Sequence, residues 1–131
     1  MGGIVRVSGS GLGCPDWPLC NGRIIPAGDY HVWIEWAHRL AASIIGLVIL
    51  IFVVTTWVRY RDRPWVLWPV MAALVALGIQ VVLGGLTVTE KLPAQIVTAH
   101  LGVALTIVML LTLGLMASLI HLNNRVSDHL N

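Results

Sequence analysis

Glu35-Trp-Ala-His-Arg39 runs directly into Leu40-Ala-Ala-Ser-Ile-Ile-Gly-Leu-Val-Ile-Leu-Ile-Phe-Val-Val-Thr-Thr-Trp-Val58. The second stretch carries no charge and reaches the roughly 20 apolar residues that a helix needs to cross a bilayer. Three ionisable side chains, Glu35, His38 and Arg39, therefore stand at the mouth of a membrane helix. Charge in that position is costly to bury, so it stays near water or serves a purpose.

Working outward, two more runs of the same kind follow. The three spans are expected at about 32–58, 64–88 and 93–120, the second and third starting at Pro64 and Pro93, where a missing N–H costs least. Pro69 falls within the first turns of the second span. Of 131 residues 57% are hydrophobic and only 11% charged, against about a quarter charged in a soluble domain. The fold class is all-α and integral to the membrane, with three transmembrane helices. A net charge of +2 gives no reason to expect a nucleic-acid partner. The six tryptophans lie mostly near the ends of the apolar runs, as in an interfacial belt.

Residues 1–31 are rich in glycine, proline and serine and read as a loop. Met1 to Leu12 has no continuous apolar core, so no cleavable signal is expected and the first span serves as its own insertion signal. The arginines of Arg59-Tyr60-Arg61-Asp62-Arg63 place that short loop in the cytoplasm. Thr89-Glu90-Lys91 and the 1–31 loop are then extracytoplasmic, and the polar tail 122–131, with Arg125, is cytoplasmic and frayed. The bundle occupies 32–121. Gly2-Gly3-Ile4-Val5-Arg6-Val7 echoes Gly84-Gly85-Leu86-Thr87-Val88, and each leads into an outside loop and a helix with an early histidine. In the second copy a spanning helix precedes the glycines, so a further helix is expected upstream of Met1.

Of five histidines, His38 and His100 lie at matched depth, each roughly 10 Å below the outer surface at 1.5 Å per residue. Two imidazoles on facing helices of a bundle can reach one iron from opposite sides. Ala42 and Gly46 below His38, and Ala104 below His100, leave a slot for a flat ligand, or equally permit close helix packing. His31, His121 and His129 read as interfacial or tail residues. Glu35 and Arg39 are four apart, so an ion pair along one helix is the simple expectation. Glu35 is also three residues before His38, near enough in angle to face a ligand held there and exchange protons with it. Arg39 has a guanidinium fork suited to a haem propionate. Gln80, the one strongly polar residue of the second span, faces either the same cavity or another helix. Cys14 and Cys20 lie on the oxidising side, which favours a disulfide; a redox-active pair is the alternative, without the usual two-residue spacing.

Taken together, Gly9-Ser-Gly-Leu-Gly-Cys-Pro-Asp-Trp-Pro-Leu-Cys20, Glu35-x-x-His38-Arg39, and Gln80 to Gly85 with His100 at the head of the next helix resemble the haem A synthase family. The resemblance covers most of the chain. It implies oxidation of a methyl group of haem o to the formyl group of haem a, for terminal oxidase assembly. It also implies two four-helix halves, each offering two histidines to one haem. His38 and His100 would be the iron-ligand pair of the first half, Glu35 its catalytic carboxylate, Cys14–Cys20 a disulfide, and Arg39 a motif residue of less fixed role. The chain departs from the family pattern in having no second half, where a haem b site belongs, and no first helix of its own half. It reads as an incomplete four-helix haem-binding bundle. The partners implied are haem o, haem o synthase, the oxidase assembly machinery and, for single-half members, a second copy; the compartment implied is the plasma membrane. A non-enzymatic cytochrome b with the same two ligands, or an inactive fragment, are the competing readings.

Overall fold

The computed structural model describes residues 1–130, without the side chains of Arg125, Asp128, His129 and Leu130. Arg125 and His129, assigned above to the tail, thus fall outside the described side chains. Four helices follow in order: α1 (Gly2–Val7), α2 (Tyr30–Tyr60), α3 (Pro64–Thr89) and α4 (Ala94–Leu130).

Three of them, α2, α3 and α4 up to Asn124, are long and apolar enough to span a membrane. Their large apolar side chains are mostly on the outside: Ile44, Leu47, Val48 and Ile51 of α2 and Leu105, Val108 and Leu113 of α4 are all exposed. In water such a surface would drive aggregation. Facing lipid it is the surface a spanning helix needs, since hydrocarbon solvates leucine as well as a protein core does. The chain is a multi-pass membrane protein. Its interior is thin, built on Ile49, Val53, Val70, Ala76 and Ile107.

At one point α3 and α4 approach closely at a glycine. A Cβ added at Gly114 of α4 would meet Val70 Cγ2 of α3 at 2.5 Å, the small-residue contact typical of membrane helix pairs. α3 packs along α4 and also meets α2, whereas α2 and α4 do not pack directly on one another. The histidine-bearing helices are thus held apart by α3. At the far end from the cysteine loop, the His121 ring of α4 meets Tyr60 and Trp65 edge-on, each with centroids 6.0 Å apart.

The local starts and stops follow the chemistry of the chain. Asp29 caps α2, its carboxylate accepting from the backbone N–H groups of His31 at 3.0 Å and Val32 at 3.3 Å. Pro64 opens α3. The turn from α3 to α4 is tight, with Lys91 at φ 57° and Leu92 at φ 63° in the left-handed region, a costly geometry for side chains with a Cβ.

Two elements differ from the sequence reading. Residues 2–7 form helix α1 inside what the glycines suggested was loop. Tertiary anchoring overrides the weak propensity of Gly2 and Gly3. Val5 is buried, and the Ser8 hydroxyl donates to the carbonyl of Ile4 at 2.8 Å and lies 2.6 Å from Ser10 Oγ. Ser10, fully buried, bonds in turn to His31 Nδ1 at 3.0 Å, tying the end of α1 to the start of α2. At the other terminus α4 runs on to Leu130, past the expected end at Ile120. No glycine or proline after Gly114 stops it.

Candidate functional site: a two-histidine cleft under a disulfide loop

α1 runs antiparallel to α2, and α3 to α4, so each histidine lies beside the glycine pair that precedes its helix. A Cβ on Gly2 would stand 3.6 Å from His38 Cε1, and one on Gly84 would stand 3.4 Å from His100 Cε1. The echo between the two glycine stretches is therefore structural: in each copy the first glycine of the pair lies beside an imidazole.

Both rings line one cleft of about 370 Å³, together with Glu35, Arg6 and the two equivalent residues Val5 and Thr87. The structure thus brings His38, His100 and Glu35 to one place. His38 Nδ1 is buried and has no hydrogen-bond partner among the described residues. His100 Nδ1 is also buried and unpartnered. Its Nε2 is 3.4 Å from the Gln80 amide nitrogen, at the outer limit of a hydrogen bond. Gln80 thus faces a residue on another helix, one of its two expected roles. Unpaired buried polar atoms cost on the order of 1–3 kcal/mol each, so these imidazoles are shaped for something that would pair with them. Among the described residues no group of three or more His, Cys, Asp or Glu could hold a bare metal ion. Two imidazoles suffice for an iron whose equatorial positions are filled by its own macrocycle. The donor set fits a haem.

Glu35 is buried, and its Oε1 accepts from Arg39 Nε at 3.0 Å. Arg39 is fixed in turn by the loop. Its Nη1 donates to the carbonyls of Asp16 and Leu19, each at 2.7 Å, and its Nη2 to that of Cys14 at 2.9 Å. Four contacts leave one of five N–H donors, and Arg39 lines a second, separate concavity beside Leu19, Cys20 and Trp36. Of the two roles expected for Arg39, the geometry realises the pair with Glu35 and adds three backbone carbonyls. It does not place Arg39 among the residues of the histidine cleft.

The loop that supplies those carbonyls is closed by a Cys14–Cys20 disulfide. Cys14 and Cys20 are both buried. Inside the ring, the Asp16 carboxylate accepts from Gly22 N–H at 2.8 Å and Asn21 N–H at 2.6 Å; these donors, Gly22 foremost, hold its carboxyl below the ordinary carboxylate range. Trp36 Nε1 donates to the carbonyl of Ile24 at 2.7 Å, fastening the loop's later part to α2. The loop also reaches across to the second copy. A Cβ at Gly85 would meet the Trp17 ring at 3.4 Å, and one at Gly11 would meet Leu92 Cδ1 at 3.0 Å. Gly13 has no room for a side chain at all, lying directly on the carbonyl of His31.

Sequence reasoning did not single out Arg6 as a cleft residue or Asp16 as the loop's internal cap. Arg6 was within reach, because the glycine echo places it one turn from the glycine that touches His38. The carbonyls around Arg39 had no such signal, since backbone groups leave no mark in composition or spacing.

Fold and site together define a class: membrane helix bundles that present two imidazoles from separate helices to a shared cleft. Within it, a family model described as cytochrome oxidase assembly protein (COX15-CtaA) matches residues 1–32 and 27–129. The heme A synthase of Bacillus licheniformis is 35% identical over 116 residues, covering 86% of this chain and 38% of that protein. The heme A synthase of Geobacillus thermodenitrificans is 35% identical over 100 residues, 76% of this chain and 31% of that protein. That of Exiguobacterium sibiricum is 33% identical over 107 residues, 80% of this chain and 36% of that protein. The chain belongs to the COX15-CtaA family, to which haem A synthases belong, and spans about a third of the length of these curated relatives.

Proposed function

We propose that this chain is the substrate-oxidising unit of a haem A synthase. His38 and His100 would hold the iron of haem o between α2 and α4, and Glu35 would face the ring. The observation that carries this reading is the convergence of Glu35, His38 and His100 on one cleft, with imidazole nitrogens left unpartnered. Iron held in a macrocycle supplies the redox chemistry when bound. The overall change is one methyl group and one water becoming a formyl group, four protons and four electrons, the electrons passing to an acceptor outside this unit. Four protons must leave the site. Glu35 is the carboxylate at hand to take them. Arg39 keeps Glu35 oriented and does not touch the substrate, and the disulfide loop keeps Arg39 in place.

The proposed setting is the plasma membrane, with the Cys14–Cys20 loop on the extracytoplasmic side, because Arg59, Arg61 and Arg63 cluster in the opposite loop. Haem o synthase would supply the substrate, and terminal oxidase assembly would take the product. A homodimer is the partner arrangement proposed for a single-half unit. A purely electron-carrying cytochrome b has no evident use for a buried carboxylate beside its ligands.

The experiment is haem analysis of membranes containing the chain. Glu35→Ala should leave the reduced-minus-oxidised haem spectrum in place and stop the appearance of haem a. Undiminished conversion would remove Glu35 from the mechanism. His38→Ala and His100→Ala should each abolish the spectrum, and a normal spectrum in either variant would sink the ligand assignment.

A further inference from the structure

The two copies around the cleft are alike in their glycines and histidines but not in charge. One helical turn beyond Gly2, toward the loop, stands Arg6; one turn beyond Gly84, at the equivalent position of α3, stands Val88. Val88 is buried and apolar. Arg6 is exposed, lines the cleft with Glu35, His38 and His100, and has no hydrogen bond or ion pair to its side chain among the described residues. Of the other cations near this end of the molecule, Arg39 is spent on Glu35 and the loop carbonyls, Arg23 belongs to the other concavity, and neither Lys91 nor Met1 is among the residues that line the cleft. At 1.5 Å per residue, Arg6 rises about 6 Å above Gly2, and so above His38, on the loop side.

We propose that Arg6 is the carboxylate anchor of the cleft and sets the orientation of the macrocycle within it. This rests on the haem reading above. A haem is apolar over most of its edge and carries two propionate carboxylates on one side. Two pseudo-equivalent histidines would grip the iron without distinguishing one orientation of the ring from another. A single guanidinium on one wall, opposed by a valine on the other, removes that equivalence. The propionate edge turns to the loop side and pairs with Arg6, in the fork geometry that guanidinium and carboxylate share. The opposite, apolar edge points down the cleft toward the lipid-embedded part of the bundle. Arg6 is thus a positioning residue: by fixing the propionate edge on the loop side it limits which ring substituents can face Glu35.

The test uses purified full chain in detergent, titrated with ferric protoporphyrin IX and, separately, with its dimethyl ester, which has no carboxylate charge. The parent should show the bis-imidazole spectrum with both and bind the free acid about tenfold more tightly. Arg6→Gln should lose that preference by weakening the free acid alone, leaving ester affinity unchanged as the control for an intact cleft. Arg6→Lys should recover part of the preference, because it restores charge without the fork. A parent that binds acid and ester equally overturns the proposal while leaving two-histidine ligation intact. So does an Arg6→Gln variant that keeps the preference or loses both ligands by the same factor. A parent that gives no bis-imidazole spectrum with either probe overturns both this proposal and the reading it rests on.

Discussion

The first histidine unit, α1 through the cysteine loop to α2, and the second, α3 through a tight turn to α4, bring one imidazole each to the same cleft by different means. The second is economical. Two residues with left-handed backbone, Lys91 and Leu92, reverse the chain, and α3 packs along α4. The first is elaborate. Its reversal takes a disulfide, an internal carboxylate cap and an arginine bonded to three carbonyls. What the first unit has in addition to its histidine is Glu35 and Arg6, the two charged residues of the cleft. A bare ligand can be held by a short turn. A buried carboxylate needs its counter-charge fixed, and fixing a guanidinium takes a folded loop.

That contrast can be broken at several points. The largest effect is expected from the histidines. Under the proposed reading, His38→Ala and His100→Ala should be equally damaging to the haem spectrum, and a variant that retains it would make the units unequal as ligand donors. Next comes Arg39→Gln, which leaves Glu35 buried without its partner and the three carbonyls without a donor. Losing one member of a buried pair costs about 3–5 kcal/mol. The melting temperature of the detergent-solubilised chain should fall accordingly, and Glu35→Gln in the same background should recover part of the loss. Reducing the disulfide, or Cys14→Ser with Cys20→Ser, removes a small closed ring, worth about 2 kcal/mol by loop entropy. The same thermal measurement should register it, and no change would mean that the remaining loop bonds suffice. A finer comparison sets the glycines against each other. A methyl at position 84 has 3.4 Å to the His100 ring and one at position 2 has 3.6 Å to the His38 ring. Both are ordinary van der Waals separations, so Gly84→Ala and Gly2→Ala should each leave haem binding within about twofold of the parent; a large loss in one variant alone would break the equivalence of the two contacts.

The smallest effect is pH-dependent. The Asp16 carboxyl is held below its ordinary value of 3.8 by the Gly22 and Asn21 N–H groups. A depressed carboxylate contributes stability that is complete above the unfolded value and is lost as the pH falls below it toward the folded value. Amide exchange at Asn21 and Gly22 should accordingly gain an extra acceleration below about pH 4. Asp16→Asn should abolish that extra step, and a loop equally protected across the range would exclude a role for the charge.

Much of this architecture was legible in the residues. Three uncharged runs marked the spans because lipid tolerates little else. Depth along a helix is a count of residues, so His38 and His100 could be matched by counting from the start of each span. The ion pair of Glu35 and Arg39 followed from helical spacing alone. What stayed hidden depended on folding back. α1 escaped because glycines argue for a loop unless something buries the neighbouring valine. The extension of α4 escaped because a polar tail looks frayed when only the apolar run is counted. The full environment of Arg39 escaped because its partners are carbonyls, which every residue has. Arg6 fell between: the glycine echo marked its position, but only the cleft gave that position a meaning.

The length of α2 bears on how such a loop can be completed after the chain enters the membrane. Its 31 residues span about 46 Å, some 15 Å beyond the hydrocarbon thickness. With Tyr60 at one boundary, the surplus is close to ten residues and falls on Tyr30 to Arg39. Arg39 then lies at the edge of the lipid headgroups, where water can solvate it while the loop is still open. Closing the loop exchanges that water for the carbonyls of Cys14, Asp16 and Leu19. Crossing the bilayer and burying the guanidinium are thereby separable demands, met by different parts of one helix: the apolar run from Leu40 onward meets the first, and the loop folded over Arg39 meets the second.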